Sequence, residues 1–177
     1  VVGFDPGTAP SLGFRPGGLE GPGAAATFRV VRALMQKLTA SGILPVVAIG
    51  NDGPGTVRVP GAFAEALAVG AIDANRDPAP FSGGGAAPDD DVRVAPDLVG
   101  PGVDITSSYE RDHQAVSWYG TDSGTSMAAP YVAGVAALVA AATGKRGLDL
   151  RAHLLDTAIA LPHPPDRVGR GLARVLV

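Results

Sequence analysis

At 177 residues, with 46% hydrophobic and 18% charged side chains, the chain has the composition of one folded domain with a real core, which excludes an intrinsically disordered segment. A net charge of −3 gives no electrostatic case for a nucleic-acid or membrane partner, and the lack of cysteine excludes disulfides and thiolate metal sites. No apolar run reaches the roughly 18 residues that span a bilayer; the longest candidate, Met127 to Ala142, holds Pro130 and Gly134.

Val1 to Phe4 reads as a short buried strand. With no initiator Met and no charged n-region it is not a signal peptide, and further sequence is expected upstream. Residues 5–23 form a Gly/Pro-rich loop, long enough to suggest a binding role. Ala24 to Ala40 predicts a helix whose buried face carries Phe28, Val31, Leu34, Met35 and Leu38, ended by Ser41-Gly42. Val46 to Ile49 and Leu67 to Ile72 are continuous apolar runs, the pattern of parallel strands covered on both faces. Phe81 to Asp91 reads as a loop, Val92–Val94 and Val103–Ile105 as short strands, and Tyr109–Gly120 as a hairpin-like stretch. An Ala-rich helix is expected from Ser126 to Ala142, stopped at Gly144, and a last helix from an Asp149 cap to Ile159. No internal repeat or second domain is visible. Alternating strands and helices predict one α/β domain over residues 1–177, a three-layer α/β/α arrangement with a mainly parallel sheet.

Ser126 follows Gly124 and opens a helix. A serine there lies among unpaired backbone N–H groups at the positive end of the helix dipole, where developing negative charge is stabilised. A serine at such a place is far more often a simple cap. The longer string Gly124-Thr125-Ser126-Met127-Ala128-Ala129-Pro130, followed by Val132-Ala133-Gly134, reverses that balance, because it resembles the nucleophile signature of subtilisin-like serine proteases almost letter for letter. Val46-Val47-Ala48-Ile49-Gly50-Asn51-Asp52-Gly53 resembles the family segment that bears the oxyanion-hole asparagine, here Asn51. Pro96-Asp97-Leu98-Val99-Gly100-Pro101-Gly102-Val103-Asp104-Ile105 and Val168-Gly169-Arg170-Gly171-Leu172 are similar to two later family blocks, in family order.

The resemblance implies a serine endopeptidase with Ser126 as nucleophile and Asn51 in the oxyanion hole. It implies a polypeptide substrate laid beside Asp5, Pro6 and Gly7, with Ala48, Ile49 and Gly50 forming the opposite wall of the pocket for the P1 residue. Asp5 and Pro6 stand where members typically have Ser-Leu, and Asp52 beside the pocket suggests a basic P1 residue. No cofactor is implied for the chemistry. Structural Ca²⁺ is implied by the family, and so is a secreted setting; Asp89-Asp90-Asp91 is an acidic loop whose spacing lacks the alternation of a calcium loop, so it reads first as a solvated turn.

The resemblance also exposes a gap. A serine hydroxyl needs a base, and the base an orienting carboxylate. Family order is Asp, His, Ser. Before Ser126 the sequence holds only His113, in no His-Gly-Thr-His context, and no Asp-Thr-Gly. The two partners are therefore expected upstream of Val1. The alternative is a catalytically inactive subtilase-like domain that binds peptide as a scaffold. A domain missing half its family's sheet is also expected to need a covering segment or self-association. An α/β-hydrolase reading has the order Ser126, Asp156, His163 but lacks the Gly-x-Ser-x-Gly elbow.

Overall fold

The computed structural model describes residues 22–87, 90–108 and 119–177. The expected strand Val1–Phe4, the loop up to residue 21 and nearly all of the Tyr109–Gly120 stretch lie outside these residues.

The first helix, α1 (Pro22–Ala40), opens on a proline, tolerated where the N–H has no partner anyway. It closes at Gly42, whose φ of +77° lets the Ile43 N–H return to the Leu38 carbonyl at 2.9 Å. Its inner face differs from the expected apolar stripe. Leu34 is 52% exposed, whereas Phe28, Val31, Met35 and Leu38 are half-buried. The reason is polar. Arg32 Nε and Gln36 Nε2 both donate to Glu65 Oε1, at 3.2 and 2.9 Å, and Thr39 Oγ1 donates to the Glu65 carbonyl at 3.2 Å. Positions 32, 36 and 39 share one side of a 3.6-residue helix, and that side is turned to the turn before the second strand.

Strands β1 (Val46–Ala48) and β2 (Leu67–Ile72) fall on the two apolar runs. Next come β3 (Gly85–Ala87), β4 (Asp90–Ala95), β5 (Leu98–Pro101), β6 (Ile105–Ser108) and β7 (Tyr119–Asp122). Three of them make a parallel sheet in the order β1-β2-β5, with Val46 opposite Leu67 and Val69 opposite Leu98. Strand β5 was not expected. Its apolar pair Leu98-Val99 is too short for a periodic signal, and pairing with the fully buried β2 is what makes it a strand. The expected strand at Val92–Val94 lies within β4, which pairs antiparallel with β3 in a stretch expected to be loop. The expected strand at Val103–Ile105 begins only at Ile105, in an antiparallel pair of β6 and β7.

Helix α2 (Thr125–Thr143) lies across all three sheet strands. Ala128, Val132, Val135, Ala136 and Val139 form its buried stripe and meet Leu67, Val69, Ala71 and Leu98 in the main core. By length and composition α2 would also suit a bilayer, contrary to the expectation that no run is long enough. Its stripe is instead used up on the sheet. Gly144, at φ +73°, ends it with an N–H bond to the Ala140 carbonyl. Helix α3 (Gly147–Thr157) starts earlier than expected, so Asp149 sits in its first turn and gives no side-chain cap. A short α4 (Pro165–Val168) follows. The other face of the sheet is covered by the β3–β4 hairpin, by residues 57–62, and by α4 with Leu161 and Leu172. The architecture is α/β with a mainly parallel sheet. Val30, Leu34, Leu138 and Leu148 remain exposed on the helices.

Candidate active site

In an open parallel sheet the carboxyl ends of the strands are where loops can converge on a ligand. Here β1 runs into Gly50-Asn51 and β5 runs into Gly102, and both lead to the start of α2. The Gly124 N–H donates to the Gly102 carbonyl at 2.8 Å. The approach is so close that a Cβ on Gly102 would stand 2.6 Å from Ala71 Cβ and 2.8 Å from the Gly124 oxygen. Only glycine fits there.

Asn51 is fixed to this helix end by Thr125. The Asn51 Oδ1 accepts from the Thr125 N–H at 2.9 Å and from Thr125 Oγ1 at 2.8 Å. The same buried hydroxyl accepts the Gly50 N–H at 3.3 Å. With Oδ1 committed, the amide can face only one way, so Nδ2 projects outward as a donor. Asn51 Nδ2 and the Ser126 N–H have no hydrogen-bond partner among the described residues. They converge: the point where a Cβ on Gly124 would sit is 3.3 Å from Asn51 Nδ2 and 3.7 Å from the Ser126 nitrogen. Both nitrogens thus lie beside Gly124 at the N-terminus of α2, and Met127 Sδ is 3.5 Å from the same point. Ser126 stands beside it, half-buried, its hydroxyl also without a partner among the described residues. Thr125 is the site residue that sequence reading missed. A buried threonine between a glycine and the candidate nucleophile carries no periodic signal.

The other expected residues divide. Asp5, Pro6, Gly7 and His113 lie outside the described residues. Ala48 and Gly50 are half-buried at the end of β1, but the Ile49 side chain is buried with Val57, Ala62 and Ala68, so Ile49 offers only backbone. Asp52 is not a free carboxylate for a basic P1 residue, because Arg58 grips it through both Nε and Nη2. That hydrogen-bonded carboxylate raises the Arg58 pKa above its ordinary range, with burial pulling the other way. His153 Nε2 meets the Leu176 carbonyl at 2.7 Å, and His163 Nε2 meets Asp77 Oδ1 at 3.0 Å. With His163 on Asp77, and Asp156 4.0 Å from Arg170, the order Ser126, Asp156, His163 does not assemble into a relay.

Among the described residues no group of three or more Asp, Glu or His side chains is placed to hold a metal ion. The Asp89–Asp91 side chains lie outside the described ones. The best-formed carboxylate centre, Asp97, is already occupied by protein cations. Its Oδ2 accepts from Arg93 Nη2 at 2.8 Å and from the Ala68 N–H at 2.7 Å, and its Oδ1 from Arg151 Nη2 at 2.9 Å. These residues do not fit a bound Ca²⁺.

Comparison with known proteins identifies the family. The model of the subtilase family (Peptidase_S8) matches residues 11–171. The subtilisin-like protease PopC of Myxococcus xanthus (strain DK1622) is 44% identical over 168 residues, which is 92% of this chain and 35% of that protein. Subtilisin Savinase of Lederbergia lenta is 38% identical over 144 residues, 81% of this chain and 48% of that protein. The solved prenylagaramide maturation protease PagA superposes with a TM-score of 0.64 at 28% identity, over 81% of this chain and 52% of its own. This chain thus spans about a third to a half of the length of the curated relatives it matches.

Proposed function

The chain belongs to the subtilase family, and from that premise we propose that it is the nucleophile-bearing portion of a serine endopeptidase. Residues 1–177 make one domain to which upstream sequence adds the catalytic Asp and His. Ser126 Oγ attacks the scissile carbonyl and its proton passes to the upstream histidine. The carbonyl oxygen becomes an oxyanion held by Asn51 Nδ2 and the Ser126 N–H. The C–N bond then breaks as the amine takes the proton, and water releases the acyl group. The substrate is a polypeptide flanked by Ala48–Gly50 on one side and by Asp5–Gly7 on the other. The upstream portion also covers the apolar side chains left exposed on α1 and α2.

The observation that carries this reading is that two donors without partners among the described residues, Asn51 Nδ2 and the Ser126 N–H, lie 3.3 and 3.7 Å from the point a Cβ on Gly124 would take. A helix cap has no use for an asparagine amide locked with its N–H₂ outward, whereas a developing oxyanion does.

The test is made on the polypeptide extended upstream of Val1. The expected sequence there contains Asp-Thr-Gly and His-Gly-Thr-His. The expected protein hydrolyses peptides and is labelled by a fluorophosphonate at Ser126, both lost in Ser126→Ala. An extended protein that neither hydrolyses nor labels overturns the reading in favour of a peptide-binding scaffold.

A further inference from the structure

A concavity apart from the Ser126 site lies at the carboxyl end of the sheet, between the ends of β2 and β5. It encloses about 370 Å³, at the small end of the range for ligand pockets, and its walls lie wholly within the described residues. Neither Asn51 nor Ser126 lines it. The floor is apolar, with Ile72, Val103 and Leu172, and the rim is charged, with Asp73, Arg76 and Asp104. Among the described residues, Arg76 and Asp104 are the two other than glycine that hold a positive φ, at +71° and +54°, and both stand on this rim. Asp104 has a local reason. Aspartate tolerates that conformation, its N–H donates to Ser123 Oγ at 2.8 Å, and its Oδ1 accepts from that hydroxyl at 3.4 Å. Arg76 has no such reason. Its turn is closed by Asp73, whose Oδ1 accepts the Asn75 and Asp77 N–H groups at 2.9 Å each and whose carbonyl accepts the Arg76 N–H at 3.1 Å. Glycine would suit this backbone better. A guanidinium stands there instead, exposed and without a hydrogen bond or ion pair among the described residues. The second carboxylate oxygens of Asp73 and Asp104 are uncommitted in the same sense, so opposite charges are held apart around an apolar floor.

We propose that this concavity is a second ligand site, for a small apolar zwitterion: an aliphatic α-amino acid or dipeptide. The α-carboxylate pairs with the planar fork of Arg76, the α-ammonium with Asp73 and Asp104, and the side chain covers Ile72, Val103 and Leu172. Charge complementarity selects this class. A wholly apolar ligand would strip water from three rim charges and give them no partner. A simple anion meets two carboxylates beside its one arginine, and a simple cation meets Arg76. The inference goes beyond the peptidase reading and needs no hydrolysis.

The experiment is isothermal titration calorimetry of the upstream-extended polypeptide carrying Ser126→Ala, so that no probe is turned over. The probes are leucine, leucyl-leucine, leucinamide, N-acetyl-leucine and N-acetyl-leucinamide. Leucine or leucyl-leucine is expected to bind about ten-fold or more tighter than each compound that lacks a charge, and the tighter of the two names the source of the zwitterion. Arg76→Gly removes the carboxylate partner and relieves the positive φ. Its affinity for the zwitterion is expected to fall about ten-fold, with the urea midpoint level or raised. Ala74→Trp fills the concavity from an exposed wall position and is expected to abolish binding. Equal or better binding of N-acetyl-leucinamide overturns the proposal, and so does a protein that binds none of the probes. So does an affinity that both variants leave unchanged. A lowered urea midpoint in Arg76→Gly with the affinity intact overturns it too, because Arg76 then serves the fold. A protein that never hydrolyses peptides yet keeps the zwitterion preference sinks the peptidase reading and leaves this one standing. A hydrolase with no such preference does the reverse.

Discussion

The two ends of the parallel sheet are built from the same materials and arranged to opposite purposes. At the amino end, the turn before β2 and the residue before β5 bring Glu65 and Asp97 inward. Protein donors meet them there: Arg32 and Gln36 on Glu65, Arg93, Arg151 and the Ala68 N–H on Asp97. At the carboxyl end, Thr125 uses up the acceptor of Asn51 and leaves its donor, the Ser126 N–H and the Ser126 hydroxyl without partners among the described residues. The amino end also keeps buried atoms without partners (Glu65 Oε2, Arg93 Nε and Nη1, Arg151 Nε), but there each carboxylate is held by protein cations, whereas the donors and hydroxyl at the carboxyl end have no such partner among the described residues. The contrast predicts that substitutions at the amino end are read in unfolding and those at the carboxyl end in turnover.

The sharpest break of that contrast is Asp97→Ala. Arg93 and Asp97 keep only 8% and 11% of their side-chain exposure, and Arg93 Nε and Nη1 are already buried without a partner. Burial lowers the Arg93 pKa, as does the nearby Arg151, and the charge of Asp97 is the main counterweight. Removing it leaves two guanidiniums facing one another in a partly dry site. A loss of about 3–5 kcal/mol in urea unfolding is expected. A loss below about 1 kcal/mol would show that the two arginines reach water and that the hub is ornamental.

At the carboxyl end the corresponding test is Gly124→Ala. Gly124 has φ 169°, extended backbone open to any residue, so its lack of a side chain is not a backbone requirement. The methyl would sit 3.3 Å from Asn51 Nδ2 and 3.7 Å from the Ser126 nitrogen, in the place assigned to the oxyanion. Losing one such donor costs about 10²–10³ in kcat in subtilisin itself, a figure borrowed from that relative, and blocking the space should cost at least as much. Kinetics of the extended enzyme should show this fall in kcat, with the unfolding midpoint nearly unchanged. A variant that melts early but turns over normally would place Gly124 in the packing and not in the site.

What the sequence revealed follows the same division. The strands β1 and β2 and the helix α2 were legible because their residues are apolar in runs or in a helical stripe. The site end was legible through two contiguous strings, around Asn51 and around Ser126. The amino-end hub was not. Asp97 meets Arg93 four residues before it and Arg151 54 residues after it, and no periodicity links the three. The inner face of α1 was misread for a related reason. Leu34 looked apolar enough to be buried, but the helix is oriented by what Glu65 can accept from Arg32 and Gln36. The Arg58–Asp52 pair, six residues apart on an irregular loop, has no sequence signature either.

Thr125→Val tests whether stability and turnover are coupled at the carboxyl end through one buried hydroxyl. The exchange keeps the shape and removes the bond to Asn51 Oδ1 and the acceptor of the Gly50 N–H. Leaving those groups short costs about 1–3 kcal/mol of stability. Turnover should fall as well, since Asn51 then rests on the Thr125 N–H alone. In a cycle with Asn51→Ala, the threonine exchange should lose most of its effect on kcat. Full additivity would mean that Thr125 does not position the amide.

The smallest expected effect concerns how α1 is held. Burial by itself raises the Glu65 pKa, but hydrogen bonds from Gln36, the backbone and Arg32, with the charge of Arg32, outweigh it and set the net direction downward from 4.5. A carboxyl depressed in the folded state contributes stability above its unfolded pKa and loses it as pH falls through the folded value. Glu65 is mostly covered yet keeps one oxygen, Oε2, without a partner, so the contribution is modest. The urea midpoint of the protein should therefore exceed that of Glu65→Gln at pH 7, and the two should converge as pH drops below about 4.5. The pH 7 gap should shrink when Arg32→Met is added, because Arg32 supplies both a bond and a charge to this carboxylate. A gap that widens toward low pH would mean that burial governs Glu65 after all, and that α1 is held by the apolar contacts of Met35 and Leu38.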